Sequence, residues 1–253
     1  MISYKKLTLI SLKNIIKKFK ELLRRFNVPE EELHKRLENL WLEGKLSFFL
    51  TGTDTEVGKT VICAWLMVHY QYRYWKPIQS GMDSPDTRTI KRMTEFDNYF
   101  FFPPVYELQQ PLSPHESAKR DGVEIELANF LLPQKETKVI IEGAGGILVP
   151  INEKHFIVDI IKLLKLPTLL VARSGLGTIN HTLLTVSELK KRNLPLQGII
   201  LNGERNQSNK EAIEKYSGVP VVSELEPLKT LDKKTLLSQK PGGKLDEIFA
   251  STG

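Results

Sequence analysis

The sequence predicts an α/β fold in which helices cover both faces of a parallel β-sheet. From Leu46 onward, strand-like apolar runs alternate with helix-like segments, as in successive β-α-β units. Several of these runs are continuously apolar, which fits strands buried on both faces better than half-exposed ones. A glycine-rich turn also joins the first strand to the first helix, at residues 52–60.

Six strands and four helices are predicted in chain order. The strands are Ser47–Thr51, Tyr72–Ile78, Lys138–Glu142, Thr168–Ala172, Gly198–Asn202 and Val219–Ser223. The helices are Thr60–Tyr70, His155–Leu164, Ile179–Lys191 and Asn209–Tyr216. Residues 96–114 are rich in proline and aromatic side chains, so we expect an irregular excursion near the site.

The first 45 residues are predicted to be a basic amphipathic helical extension that precedes a domain of residues 46–253. Apolar residues recur at three- and four-residue steps from Leu9 to Phe26, with basic residues between them. A second helix has Pro29 in its first turn and ends before Gly44. Such a helix can contact an anionic membrane, but packing against the body or a second subunit is its more ordinary use.

The net charge of +6 is unevenly placed along the 253 residues. Residues 1–45 hold eleven Lys or Arg and six Glu, so the remaining residues carry a net charge of only +1. A nucleic-acid-binding surface normally appears as a basic excess on the domain itself, so no nucleic-acid partner is predicted.

Two further features suggest a cytoplasmic protein. No segment approaches 18 uncharged apolar residues, so no membrane span is predicted. The single cysteine, Cys63, cannot form an internal disulfide, which suits a reducing compartment.

The turn from Gly52 to Thr60 has the character of a phosphate-binding loop. A glycine-rich turn from strand to helix points backbone N–H groups inward, and the helix N-terminus adds partial positive charge. Lys59 would reach the outer phosphates of a nucleoside triphosphate, and Thr60 would bind its magnesium ion. Five residues separate Gly52 from Gly58, one more than the usual pattern has, so this is a longer variant of the loop. The fold class is therefore refined to one like that of the P-loop NTPases.

Three other polar segments follow predicted strands, and ligands bind at the carboxyl ends of parallel strands. Lys76 to Gly81 would deliver a lysine and a hydroxyl to the same rim as the phosphate loop. Glu142 to Gly146 is a carboxylate, able to bind magnesium, followed by a predicted turn of small residues. Ser174 to His181 is a second glycine turn that opens a helix, which makes it a second candidate anion site.

Together these motifs resemble those of the dethiobiotin synthetases. They span residues 47 to about 228 and occur in the same order as in that family. The resemblance rests on 51–60 (TGTDTEVGKT), 76–81 (KPIQSG), 113–115 (SPH), 142–146 (EGAGG), 179–181 (INH) and 198–202 (GIILN). Residues 1–45 lie outside it. The longer loop, combined with the Lys-Pro and Glu-Gly-Ala-Gly-Gly segments, is highly specific.

The resemblance implies a reaction in which CO2, taken from CO2/bicarbonate, is joined to 7,8-diaminononanoate as a carbamate. ATP phosphorylates the carbamate, and ring closure expels phosphate. It implies Lys76 and Lys59 as the catalytic residues, with Mg2+ held by Thr60, Asp86 and Glu142. It also implies a homodimer, because the segment around Gly177–Asn180 serves the site of the second subunit.

The same resemblance assigns two sets of binding residues. The implied ATP-binding residues are Glu56, Val57, Gly58, Lys59, Thr60, Val61, Asp86, Glu142, Gly143, Ala144, Gly145, Asn202, Gly203, Glu226, Pro227 and Leu228. The implied substrate-binding residues are Thr55, Ser80, Gly177, Thr178, Ile179 and Asn180. Asp83 competes with Asp86 as the metal-binding aspartate, and Asp86 is favoured because it leads into a plausible helix.

Two other classes share this kind of fold. A cobyrinate-type amide synthetase needs a glutaminase domain with a nucleophilic cysteine, for which the chain has neither the room nor a suitably placed residue. A partitioning or switch ATPase that docks through its N-terminal helix usually has an early lysine in the loop and an aspartate at the strand end. Here the loop lacks that lysine and the strand ends in Glu142.

Overall fold

A seven-stranded parallel sheet organises the residues that the computed structural model describes, 47–134 and 137–250. The strand order is β4-β2-β6-β1-β7-β8-β9, and every neighbouring pair is parallel. The sheet strands are β1 (Phe48–Gly52), β2 (Arg73–Trp75), β4 (Phe101–Phe102), β6 (Val139–Gly146), β7 (Thr168–Arg173), β8 (Leu196–Asn202) and β9 (Val221–Leu225). β3 (Ile78–Ser80) and β5 (Tyr106–Leu108) form a separate parallel pair.

Eight α-helices accompany these strands in the described residues. They are α1 (Lys59–Tyr70), α2 (Asp86–Thr94), α3 (Pro114–Asp121), α4 (Ile157–Leu164), α5 (Thr178–Lys191), α6 (Gln207–Ser217), α7 (Lys233–Ser238) and α8 (Gly243–Ala250). None of the described helices is long and apolar enough to cross a membrane. The predicted N-terminal extension, residues 1–45, lies outside the described residues, and the domain boundary at 45/46 stays a prediction.

Alternation along the strands divides the core between the two faces of the sheet. In β1, Phe48 and Leu50 join the cluster formed with α1, α2, α7 and α8, whereas Phe49 joins the cluster under α3, α4 and α5. β7 repeats this division, because Leu169 faces α1 while Leu170 packs in a cluster that includes residues of α5 and α6. Successive side chains of a strand point to opposite faces, so a strand covered on both sides must be apolar throughout. The predicted α/β fold is confirmed.

Two predicted details of the sheet are wrong. The strand predicted at Tyr72–Ile78 is divided, because Lys76 and Pro77 carry the chain from the main sheet to the small one. Pro77 has no N–H to donate to a ladder, and its carbonyl instead accepts from the backbone N–H groups of Val105 and Tyr106. The turn predicted after Glu142 is also not a turn, because β6 continues to Gly146, where it pairs with Gly52.

The remaining elements follow the predicted order, with additions. The four predicted helices are present, and each begins within two residues of the predicted start. Helices α3, α7 and α8 were not predicted because each has at most three large apolar residues, whereas α4, also of eight residues, has six. The stretch 96–114 is irregular apart from a 3₁₀ turn at Asn98–Phe100 and the short strands β4 and β5.

Candidate active site

The loop between β1 and α1 brings its backbone close to neighbouring groups. Gly58, the residue before α1, has φ of +92°, a conformation that L side chains rarely adopt. A Cβ at Gly58 would lie only 2.1 Å from Nδ2 of Asn202, so the position requires glycine. That Asn202 Nδ2 donates to the carbonyl of Val57 at 3.0 Å and so ties the end of β8 to the loop.

The lysine of the loop is buried and faces back along it. Lys59 is 6% exposed, and its Nζ donates to the backbone carbonyl of Asp54 at 2.9 Å. Within the loop, Glu56 adopts a left-handed conformation with φ of 57°. Arg173 at the end of β7 pairs with the Asp54 carboxylate at 3.1 Å, in an exposed contact that stabilises little.

Four polar side chains meet beside Lys59, and we call them the cation cluster: Thr60, Lys76, Asp86 and Glu142. Lys76 Nζ lies 2.9 Å from Glu142 Oε1, 2.8 Å from Asp86 Oδ2 and 3.1 Å from the carbonyl of Gly143. Thr60 Oγ1 lies 2.8 Å from Asp86 Oδ1 and 3.2 Å from Glu142 Oε1, so its hydroxyl can donate to either carboxylate. Lys76 is 4% exposed and Glu142 is 1% exposed, so these charges depend on each other for compensation.

The topology explains why residues so distant in sequence meet. β2 and β6 are neighbours, with Trp75 opposite Ile141, so Lys76, directly after β2, and Glu142, within β6, stand side by side. Thr60 lies in the first turn of α1, and Asp86 is the first residue of α2. The site therefore forms where two strands and two helix N-termini converge at one edge of the sheet.

The cluster shifts the pKa of its members in different directions. Burial alone would lower the pKa of Lys76, but Glu142 and Asp86 outweigh burial and raise it above its ordinary value. For Lys59 burial prevails, and the nearby charge of Lys76 adds to it, so its pKa is lowered. Burial alone would raise the pKa of Asp86, yet Lys76 and the Thr60 hydrogen bond hold it below its usual range. Lys76 is thus a fixed cation at neutral pH.

Two residues of the site were missed by the sequence reasoning. Tyr74 is fully buried and donates its hydroxyl to Glu142 Oε2 at 2.9 Å. Gln79 accepts from the backbone N–H of Asp86 at 3.0 Å and donates to the carbonyls of Ser80 and Gly81. The contact of Tyr74 with Glu142 has no local signal in the sequence, because it depends on β2 lying next to β6.

A cavity of about 760 Å³ opens onto the cation cluster. Besides the cluster and Lys59, its walls include Thr55, Glu56, Ser80 and Gly145. Pro111–Pro114 close one side, so part of the stretch predicted as an excursion near the site does reach it. Ser80 Oγ is buried and has no hydrogen-bond partner among the described residues, which leaves it available to a ligand in the cavity.

The structure separates the two candidate aspartates. Asp86 belongs to the cation cluster, whereas Asp83 is exposed and does not line the cavity. The oxygen donors of Thr60, Asp86 and Glu142 suit a hard cation such as Mg2+. The described residues contain no group of three or more His, Cys, Asp or Glu placed to hold a metal, so a cation here would need further ligands from a bound nucleotide.

Other residues expected in the site lie outside this cavity. Gly203 donates its N–H to the carbonyl of Leu225, and Glu226 pairs with Arg205 at 2.8 Å, so β8 and β9 bring these residues to one rim beside Asn202. Pro227 is exposed there, and Leu228 packs on the core. The segment Gly177–Asn180, at the start of α5, does not line the cavity of its own chain.

The seven-stranded parallel sheet and the glycine-rich loop between β1 and α1 place the chain in the class of the P-loop ATPases. The family described as an AAA domain matches residues 47–235. Similarity to individual proteins is more specific. The chain is 44% identical over 194 residues to the ATP-dependent dethiobiotin synthetase BioD of Paramagnetospirillum magneticum, covering 76% of this chain and 94% of that protein.

The ATP-dependent dethiobiotin synthetase BioD of Lawsonia intracellularis is 41% identical to the chain over 205 residues, covering 81% of this chain and 99% of that protein. The chain belongs to the ATP-dependent dethiobiotin synthetase family. It is therefore an ATP-dependent ligase of biotin biosynthesis, as the motifs predicted.

A solved structure described as a ParA family ATPase from Chlorobium tepidum gives a TM-score of 0.50 at 15% identity, covering 82% of this chain and 95% of that one. That likeness shows the fold alone. It does not favour the partitioning ATPase considered as an alternative, since the relatives at more than 40% identity are dethiobiotin synthetases.

Proposed function

We propose that the 760 Å³ cavity holds the γ-phosphate of ATP and a carbamate of 7,8-diaminononanoate side by side. The observation that carries this proposal is the cation cluster next to Lys59. Together they place two lysines, two carboxylates and a hydroxyl at one end of the phosphate loop. The overall reaction would convert the diamine, CO2 and ATP into dethiobiotin, ADP and phosphate.

Each step of this reaction involves anions, so the protein works mainly by positioning and by neutralising charge. An amine of the substrate takes up CO2 and becomes a carbamate. A carbamate oxygen then attacks the γ-phosphorus of ATP, and ADP leaves. The second amine attacks the carbamoyl carbon and expels phosphate, which closes the ring. Lys59 and Lys76 are the two catalytic cations, because both are buried at the cavity wall.

Thr60, Asp86 and Glu142 would hold Mg2+, which would neutralise charge on the transferring phosphoryl group. Lys76 lies within 3 Å of both carboxylates and so fixes them in place. Burial alone would raise the pKa of Asp86, but Lys76 helps to hold it below its usual range. Glu56, Val57, Gly58, Val61 and Gly143–Gly145 would surround the phosphates. Asn202, Gly203 and Glu226–Leu228 would contact the adenine.

The substrate would be held at two ends. Ser80 Oγ, which lacks a partner among the described residues, and Thr55 would bind the end that reacts. Backbone N–H groups at Gly177–Asn180 would bind the distal carboxylate of a substrate in a second subunit. The segment is suited to that task, because it lies outside its own cavity and Leu176 is fully exposed beside it. We infer a homodimer, working in the cytoplasm where ATP is available.

The activity itself is tested by product formation. Purified protein incubated with 7,8-diaminononanoate, bicarbonate and Mg2+-ATP should yield dethiobiotin and phosphate in equal amounts, measured by mass spectrometry and a phosphate assay. Parallel reactions with GTP and CTP define the nucleotide preference, which Asn202 alone does not determine. Phosphate release without a ureido product would contradict the proposal.

The shared site is tested by complementation between two inactive variants. Lys76→Ala removes the cluster cation, and Gly177→Val places a β-branched residue at a φ of +86°, which distorts the turn before α5. If each site combines Lys76 of one subunit with residues 177–180 of the other, co-expressed variants should recover about one quarter of wild-type turnover, since half of the dimers each have one intact site. Two copies of either variant alone should stay inactive, and the absence of any recovery in a verified mixed dimer would contradict the shared site.

A further inference from the structure

The Glu142 carboxylate is held by different groups at its two oxygens. Oε1 faces Lys76 Nζ at 2.9 Å and Thr60 Oγ1 at 3.2 Å, and it therefore points into the cation cluster. Oε2 points away and accepts the hydroxyl of Tyr74 at 2.9 Å. A carboxylate that uses one oxygen for a cation needs a donor at the other oxygen to fix its orientation.

Tyr74 is built into the sheet in a way that fixes this hydroxyl. It lies opposite Ile140 in the β2–β6 register, so Tyr74 and Glu142 project from neighbouring strands on the same face. Its ring is fully buried and meets Phe101 edge-on, with 6.1 Å between centroids. The hydroxyl therefore has little freedom to turn toward any other acceptor.

We propose that Tyr74 is a positioning residue for the divalent cation: its hydroxyl holds Glu142 so that Oε1 stays on the cation side. This inference rests on the magnesium site proposed above. Tyr74 itself does not line the cavity, so it acts only through Glu142.

The test measures how much Mg2+ increases the affinity of the protein for a nucleotide, which we call the Mg2+-dependent gain. The probe is the β,γ-imido analogue of ATP, whose binding is measured calorimetrically with Mg2+ and with EDTA. Tyr74→Phe should reduce the Mg2+-dependent gain by about tenfold or more, the usual loss when a group that orients a metal ligand is removed. Binding in EDTA should stay as in the wild-type protein.

The matched control is Tyr106→Phe. Tyr106 lies in the small sheet, and its hydroxyl accepts from the N–H of Glu126 at 3.0 Å and from Asn129 Nδ2 at 2.7 Å. Removing it costs hydrogen bonds without touching Glu142, so this variant should keep the whole Mg2+-dependent gain. Thermal unfolding of both variants shows whether each is folded at the temperature of the measurement.

Three results would overturn the proposal. Tyr74→Phe could keep the full Mg2+-dependent gain, or it could lose affinity equally with Mg2+ and with EDTA, as a merely structural residue would. If the wild-type protein itself gains nothing from Mg2+, the magnesium site and the role of Tyr74 are both wrong. The binding test contains no diamine and forms no product. Its result therefore does not depend on whether the protein makes dethiobiotin in the separate activity assay.

A second measurement uses the wild-type protein, so the proposal can still be tested if Tyr74→Phe does not fold. The hydroxyl proton of Tyr74 can be identified by nuclear magnetic resonance through its proximity to the protons of its own ring, which in turn contacts the Phe101 ring. Adding Mg2+ to protein saturated with the ATP analogue should shift this resonance, because cation binding at Oε1 changes the carboxylate that accepts the proton. An unchanged resonance at saturating Mg2+ would overturn the proposal.

Discussion

Lys76→Ala is expected to lower kcat for dethiobiotin formation by about 10³-fold or more, while the protein still binds nucleotide. Lys76 is the cation between Glu142 and Asp86, with its Nζ within 3 Å of a carboxylate oxygen of each. It also lines the proposed cavity for the γ-phosphate and the carbamate. Removing it takes away the positive charge that would stabilise the anionic transition state.

The reason for so large an effect is the low exposure of the site. Lys76 is 4% exposed, and an interaction between charges is stronger where water is excluded than at the surface. Breaking a buried ion pair by removing one partner also destabilises the fold, typically by about 3–5 kcal/mol. Thermal unfolding should therefore show a lower melting temperature for Lys76→Ala, and activity must be compared at a temperature where both proteins are folded.

Kinetics at saturating ATP, diamine and bicarbonate measure this prediction, with Lys162→Ala as the matched control. Lys162 lies on the exposed side of α4, so its removal changes the net charge equally without touching the cation cluster. It should retain nearly wild-type kcat. A Lys76→Ala enzyme that is folded and within tenfold of wild-type turnover would show that Lys76 is structural only.

The sequence was sufficient for the order of β1, β6, β7, β8 and β9 because these strands are largely buried on both faces. Such a strand must be continuously apolar, as Phe48–Leu50 and Leu169–Ala172 are, and that signal is local. The division of the predicted strand Tyr72–Ile78 was not accessible in the same way. Lys76 and Pro77 interrupt its apolar run locally, but only the pairing of Ile78 with Tyr106 shows that the chain has entered a second sheet.

The site shows the same contrast between local and long-range information. Glycine spacing marks the phosphate loop, because Gly58 needs a positive φ that few other residues tolerate. The contact between Tyr74 and Glu142 depends instead on β2 lying next to β6, 68 positions apart along the chain. A tyrosine in an apolar strand has the pattern of an ordinary core residue, so its hydroxyl bond could not be predicted without the strand order.

The choice between Asp83 and Asp86 also depended on tertiary structure. Two residues separate them, and the sequence favoured Asp86 only through the helix that follows. The structure places Asp86 at the N-terminus of α2, with Oδ1 2.8 Å from Thr60 and Oδ2 2.8 Å from Lys76. Asp83 is exposed in the preceding turn. The two aspartates are therefore a matched pair for testing which carboxylate serves the cation.

Asp86→Asn is expected to lower kcat by about 100-fold and to raise the Mg2+ concentration needed for half-maximal activity. Asparagine has nearly the same size as aspartate and keeps a carbonyl oxygen, so the fold should survive the change. It lacks the negative charge that pairs with Lys76 and would attract Mg2+. Lys76 lowers the pKa of Asp86, so the wild-type carboxylate is ionised at neutral pH, and the effect should appear at all neutral pH values.

Asp83→Asn should leave both kcat and the Mg2+ requirement close to wild type, since that side chain is outside the cation cluster and its loss changes the net charge by the same amount. Both variants are measured over a titration of Mg2+ at fixed ATP and diamine. The assignment fails if Asp83→Asn has the larger effect on the Mg2+ requirement. It also fails if the two variants respond alike, because a general change in surface charge would then explain both.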